Sequence, residues 1–181
     1  MLGYTDFTML DMFSFFRPSI DEKTKDLARY IYVLMTENEK SCDRFFLAKI
    51  MYLADVASYR YTGGKITNIA WKWFPYGPFN GDVYDCQKDC YELGILSPRE
   101  LDERTQHACS EYVHVQNLSD LEAAITRKIV EKVHNMNFDQ LSDLAYDTPP
   151  MRAVGAKRNG EAAKQPLDFS SISRQELELT T

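Results

Sequence analysis

Histidine is scarce in this chain: His107, His114 and His134 are the three in 181 residues, and no two of them stand three or four positions apart. There is no His-Glu-x-x-His pair, no P-loop, no nucleophile elbow and no glycine-rich dinucleotide turn. Those absences remove the commonest metal, nucleotide and acyl-transfer chemistries, and they argue against an enzyme. Cysteine is sparse as well. Cys42, Cys86, Cys90 and Cys109 show neither zinc-ribbon nor zinc-finger spacing. Cys86 and Cys90, one helical turn apart, therefore read as reduced, buried thiols of a cytosolic protein. No metal and no cofactor is expected. Apolar residues never run for the roughly eighteen positions that a membrane span needs. The first residues are apolar, but they lack a basic segment and include Asp6 and Asp11, so they do not read as a signal peptide. The expected location is cytoplasmic. Positive charge is also in deficit, with 21 basic residues against 27 acidic ones and a net charge of −6. That balance disfavours a broad electrostatic grip on nucleic acid and suits a basic protein partner.

What is present is an ordinary globular balance, 44% hydrophobic and 27% charged, at a length that suits one domain with a sizeable core. Ser19-x-x-Glu22 after Pro18 reads as a capping box. The helix it opens carries Leu27, Tyr30, Ile31, Leu34 and Met35 on one stripe and frays at Glu37-Asn38. Ser41 starts a second helix, apolar on most faces from Phe45 to Ala54 and so expected to be central; Gly63-Gly64 stops it. From Lys65 to Phe74, alternation predicts one or two short strands. Ile69, Trp71 and Trp73 would share one face, with Ala70, Lys72 and Phe74 on the other. Pro78, in the turn Tyr76-Gly77-Pro78, suits the start of another helix. That helix would turn Phe79, Val83, Cys86, Cys90 and Leu93 inward and stop at Gly94. Ile95-Leu96 is expected to pair with Glu111 to Gln116. A second box, Ser119-x-x-Glu122, opens a helix with Leu121, Ile125, Ile129, Val133 and Met136 aligned. Asn137 caps a last short helix that ends before Pro149-Pro150. The fold class is α+β and predominantly α-helical: a helical core with short strands and a winged-helix-like β-hairpin. Three regions are expected: an apolar N-terminal extension over 1–18, a domain over 19–154 and a mobile C-terminal tail over 155–181.

A winged-helix-like core makes a DNA-binding transcriptional regulator the rival reading. The helix that would enter the groove carries Asp82, Asp85, Asp89 and Glu92 against Lys88. Such a surface repels phosphates. Asp55, one turn after Met51, is the most conspicuous ionisable group. A buried carboxylate needs donors, and Gly63-Gly64 and Tyr76 are close in sequence, so a structural role is expected. Interaction remains. Trp71, Trp73, Phe74, Tyr76 and Phe79 place five aromatics in nine residues, and both faces of so short a strand cannot easily be core. Met9, Met12, Phe13 and Phe16 form a second apolar stripe, which either folds back on the domain or marks a partner. The expected partner-binding residues are Met9, Met12, Phe13, Phe16, Trp71, Trp73 and Tyr76.

The succession Lys49-Ile50-Met51-Tyr52-Leu53-Ala54-Asp55, Gly64-Lys65-Ile66-Thr67, Tyr76-Gly77-Pro78 and Val83-Tyr84 resembles the Panacea domain of SocA-like bacterial and phage antitoxins. In that family a late helix leads into a segment of the type Leu-Ser-Glu-Leu-Thr-His, then acidic residues, Pro and Trp. Leu141 to Met151 matches in order and spacing, with Tyr146 where histidine is usual and Met151 where tryptophan is usual. The resemblance covers Leu27 to Val154 and marks Lys49, Tyr52, Asp55, Gly64, Gly77, Pro78 and Tyr84 as motif positions. It implies an antitoxin that neutralises a cognate protein toxin by direct binding, occluding or distorting the toxin's active site. Toxins found with this domain are diverse and include small alarmone-synthetase-like enzymes. Some relatives act instead as adaptors that deliver the toxin to a protease. No enzymatic activity, no specific nucleic acid and no membrane is expected.

Overall fold

The computed structural model describes residues 20–98, 106–108, 115–158 and 164–175. Helix α1 spans Glu22–Glu37 and is capped by Asp21, whose carboxylate accepts from Thr24 N at 2.8 Å. Asp21 takes the role expected of Ser19, which lies outside the described residues. Leu27, Ile31, Leu34 and Met35 face the core, and Asn38 closes the helix on the Leu34 carbonyl. Helix α2, Arg44–Thr62, is capped by Asp43 rather than Ser41: its Oδ1 accepts from Phe45 N and Phe46 N. Every residue from Leu47 to Val56 is buried, as an all-round apolar helix requires. Gly63 ends α2 in the left-handed region, φ +81, where a side chain would also press on the Arg174 guanidinium.

The chain then runs irregularly to strand β1, Lys72–Phe74, which pairs antiparallel with β2, Gly77–Phe79. The expected alternation holds in burial: Ile69, Trp71 and Trp73 are inside, Ala70 and Lys72 outside. Regular strand, however, covers only its last three residues. Pro78 sits within β2 and does not start a helix. Helix α3, Asp82–Glu92, begins later, with Asp82 N bonded to Asn80 Oδ1 at 3.0 Å. Val83, Cys86 and Cys90 are buried, whereas Leu93, expected inward, is the exposed C-cap residue before Gly94. Strand β3, Leu96–Pro98, pairs with β4, Gln106–Ala108, and not with the later segment expected for it. The second expected capping box forms at Ser119 and Glu122, and the cap expected at Asn137 is a full box with Gln140. Ser119 and Glu122 open α4, Asp120–Val133; Asn137 and Gln140 open α5, Phe138–Tyr146. Pro149-Pro150 then opens a short helix α6, Pro149–Ala153, where a missing N–H costs nothing.

Helix α2 is the hub on which α1, α3, α4, α5 and β2 all pack. A charged cluster ties α1 to α3 and to the loop before α4. Buried Asp26 accepts from Arg29 at 2.7 Å and from the Asn117 backbone and side chain at 3.0 and 2.8 Å, while Arg29 also reaches Asp89 on α3. The expectation of a mobile tail needs correction for residues 164–175. Gln165 O accepts from Trp73 N at 2.8 Å, and Leu167 N donates to Trp71 O at 2.9 Å. Leu167, Phe169 and Ile172 are buried, and Phe169, in a 3-10 turn over Phe169–Ser171, meets Tyr52 and Tyr59 edge-on. Among the described residues no helix is long and apolar enough to cross a membrane.

Candidate partner-binding site

The turn between β1 and β2 projects aromatic side chains outward and is held from behind. Pro75 and Tyr76 form its tip, and Gly77 continues at φ +113, a conformation that other residues rarely adopt. The Tyr146 hydroxyl donates to the Pro75 carbonyl at 2.9 Å, with the Phe74 carbonyl at 3.4 Å. Helix α5 therefore braces the turn through Tyr146, its last residue. Tyr76 is 64% exposed and Tyr84, on α3, 43%. Half-buried Phe45, Phe74 and Phe79 fill the space between them. The rings touch in sequence: Phe45 with Tyr76 and with Phe79 at 6.3 Å, Phe79 with Phe74 at 5.7 Å and with Tyr84 at 5.5 Å. Arg44 lies over the Phe45 and Tyr84 rings, 5.0 Å from each centroid.

These rings surround a cavity of about 310 Å³ that Ala48, Lys49, Pro75, Gly77 and Pro78 also line. Lys49 is 1% exposed, and its Nζ lies 4.2 Å from the centre of the Phe138 ring. Burial brings its ammonium pKa down to about 8, against a modest upward pull from Asp43.

The expected site residues are placed unequally. Tyr76 is on the surface. Trp71 and Trp73 are buried, so they cannot serve as exposed anchors: the Trp71 ring packs edge-on against Tyr52 of α2, and the returning segment 164–167 covers the edge of β1. One face of the strand is therefore core, while on the other Ala70 and Lys72 are exposed and Phe74 is half-buried. Met9, Met12, Phe13 and Phe16 lie outside the described residues. The sequence does not mark Arg44 and Phe45 as surface candidates, because nothing local signals that the first turn of α2 meets Tyr84.

The motif positions are mostly architectural. Asp55 is fully buried and accepts from Ile66 N at 2.8 Å, Thr67 N at 2.9 Å, Thr67 Oγ1 at 2.5 Å and Trp71 Nε1 at 2.7 Å. Its donors are thus neither Gly63-Gly64 nor Tyr76. Burial raises its pKa, and the hydrogen bonds from Thr67 and Trp71 oppose that rise. Thr148 gives its proton to the Ala145 carbonyl, so the Tyr52 hydroxyl donates to Thr148 Oγ1 at 2.7 Å, joining α2 to the α5–α6 junction. The Gly64 carbonyl accepts from Ser58 Oγ at 2.8 Å. Cys42, Cys86 and Cys90 are buried thiols whose pKa values burial pushes up, that of Cys90 to about 12. They are protonated and unreactive at neutral pH. Among the described residues no three potential ligands gather around a metal position.

Residues 47–150 match the family described as antitoxin SocA-like, Panacea domain. No curated protein and no solved structure matches the chain.

Proposed function

The chain belongs to the SocA-like antitoxin family with its Panacea domain, and from that premise we propose that it neutralises a cognate toxin by direct contact through the aromatic face at the β1–β2 turn. Membership supports the antitoxin role. The observation that carries the choice of surface is the contiguity of Tyr76, Phe45, Phe79 and Tyr84, with both tyrosines exposed and Arg44 laid across the rings. Tyrosine and arginine dominate binding hot spots, and pre-set side chains lose little freedom on association. Tyr146 behind the turn supplies that preorganisation.

The partner is a protein, and the toxins met with this domain are diverse, small alarmone-synthetase-like enzymes among them. The apolar stripe Met9, Met12, Phe13 and Phe16 is a second proposed anchor. Co-expression with the product of the adjacent reading frame tests the reading, scored by growth and then by co-purification. Tyr76→Ala combined with Tyr84→Ala should weaken toxin binding by roughly a hundredfold or more, at about 2 kcal/mol per anchor, and leave the melting temperature nearly unchanged. A folded double variant that still protects cells and binds as tightly as the parent would refute this surface. Inhibition of purified toxin in the absence of any protease separates direct neutralisation from delivery for degradation.

A further inference from the structure

Lys49 presents a buried ammonium to a cavity and, among the described residues, meets no anion there. It lies on the inner side of α2, lines the aromatic cavity, and its neighbour is the Phe138 ring rather than a carboxylate. The charged and titratable groups around it are already engaged. Asp43 caps α2 through bonds from Phe45 N and Phe46 N. Arg158, which repels the ammonium, is paired with Asp139 and Asp143 on α5. The Tyr146 hydroxyl donates to Pro75 O. Buried charges are ordinarily paired, so this one is poised for a counter-ion from outside. Gly77 keeps the facing wall bare: a Cβ there would stand 3.5 Å from Lys49 Cε and 3.8 Å from Nζ.

We propose that the cavity is the specificity pocket of the toxin interface, taking one acidic residue of the partner whose carboxylate pairs with Lys49 Nζ, beside an apolar or aromatic side chain that packs against Phe45, Phe79 and Tyr84. This rests on the reading that the aromatic face binds a toxin. Charge and shape select the occupant. A volume of about 310 Å³ suits one or two side chains. Apart from Lys49 the lining is apolar, so a bare inorganic anion would leave the rings uncovered, whereas a carboxylate on an apolar body satisfies both. The chain carries a net charge of −6. Recognition of an acid must therefore come from cations at short range, Lys49 inside the cavity and Arg44 over the Phe45 and Tyr84 rings, not from long-range steering.

The pocket can be probed with 3-phenylpropionate and its neutral amide, followed through the backbone amide shifts of Tyr76 and Gly77. The acid should bind about tenfold or more tightly than the amide, the advantage of a charge-assisted hydrogen bond. Lys49→Met should abolish that difference, and Lys49→Arg should restore part of it. The acid's advantage should decline as pH rises through and above about 8, where the ammonium loses its proton. On the wild-type protein, the acid should displace bound toxin while the amide displaces it poorly. Lys49→Met, which swaps a buried cation for an apolar chain of similar length, should fold and bind toxin about tenfold or more weakly. Equal binding of acid and amide overturns the role of the cation. Acid binding that never displaces toxin, with toxin affinity unchanged in Lys49→Met, overturns assignment to the partner and identifies a free small acid as the occupant. Loss of toxin binding in the Tyr76 and Tyr84 variant but not in Lys49→Met rejects the pocket and keeps the face. Acid selectivity with a neutral tyrosine variant rejects the face.

Discussion

Asp55 accepts four hydrogen bonds in a fully buried position: two from the backbone beyond α2, one from the Thr67 hydroxyl and one from the Trp71 indole. Both carboxylate oxygens are saturated by donors, so the side chain fixes the path of the loop and the depth of the indole together. In Asp55→Asn, one oxygen becomes an NH2 that faces donors. At least one buried donor then loses its acceptor, and the expected cost is about 2–4 kcal/mol. Chemical denaturation should record that loss, and protection against the toxin should fall only with the folded fraction. A variant with parental stability and no protective activity would move Asp55 from the scaffold into the interface. Lys49 presents the opposite case, a buried charge with an empty space beside it.

At the scale of elements, the segment 164–175 does the most unexpected work. It bonds to Trp71 and Trp73 through Leu167 N and Gln165 O, inserts Phe169 between Tyr52 and Tyr59, and returns to α2 through Gln175 N on Arg60 O at 2.9 Å. Phe169→Ala should cost about 3 kcal/mol, the usual loss for an aromatic removed from a core. Deleting residues 164–181 should cost more and shift tryptophan emission to the red, because Trp71 and Trp73 are the two tryptophans in the chain. Unchanged emission and melting in the truncated protein would show that the segment contributes nothing to the core. Nothing periodic marks this segment in the sequence. Leu167, Phe169 and Ile172 are spaced for neither a helix stripe nor a strand face, so their burial depends on the groove they enter.

For the whole molecule, the winged-helix-like order of α3 and the β3–β4 hairpin raises DNA binding, and charge argues against it. Helix α3 offers Asp82, Asp85, Asp89 and Glu92 against Lys88, and Asp89 is held by Arg29 in the inter-helix cluster. A groove-reading helix with surplus acid repels phosphates, and the net charge of −6 supplies no compensating field. Fluorescence anisotropy on the upstream DNA with competitor present should therefore give no sub-micromolar affinity at physiological salt. Tight, salt-sensitive binding there would restore the regulator reading.

The helices are readable along the chain because their signals are local. The apolar stripe of α1, the all-round apolar α2, the boxes at Ser119-Glu122 and Asn137-Gln140, and the stops at Gly63 and Gly94 involve residues within a turn or two of each other. Even the shifts from Ser19 to Asp21 and from Ser41 to Asp43 are short: neighbouring polar residues compete for one cap, and packing of the first turn selects among them. The antitoxin family was legible for the same reason, since its motifs lie in order along the chain. Which aromatics lie outside depends instead on long-range packing. Trp71 and Trp73 are buried because a distant segment covers them, and Tyr76 is exposed because α5 props up its turn from below. The cavity at Lys49 is likewise assembled from the start of α2, the β1–β2 turn and α3, with Phe138 of α5 behind the ammonium. Burial and charge pairing depend on everything packed around a side chain, and the chain order does not encode that neighbourhood position by position.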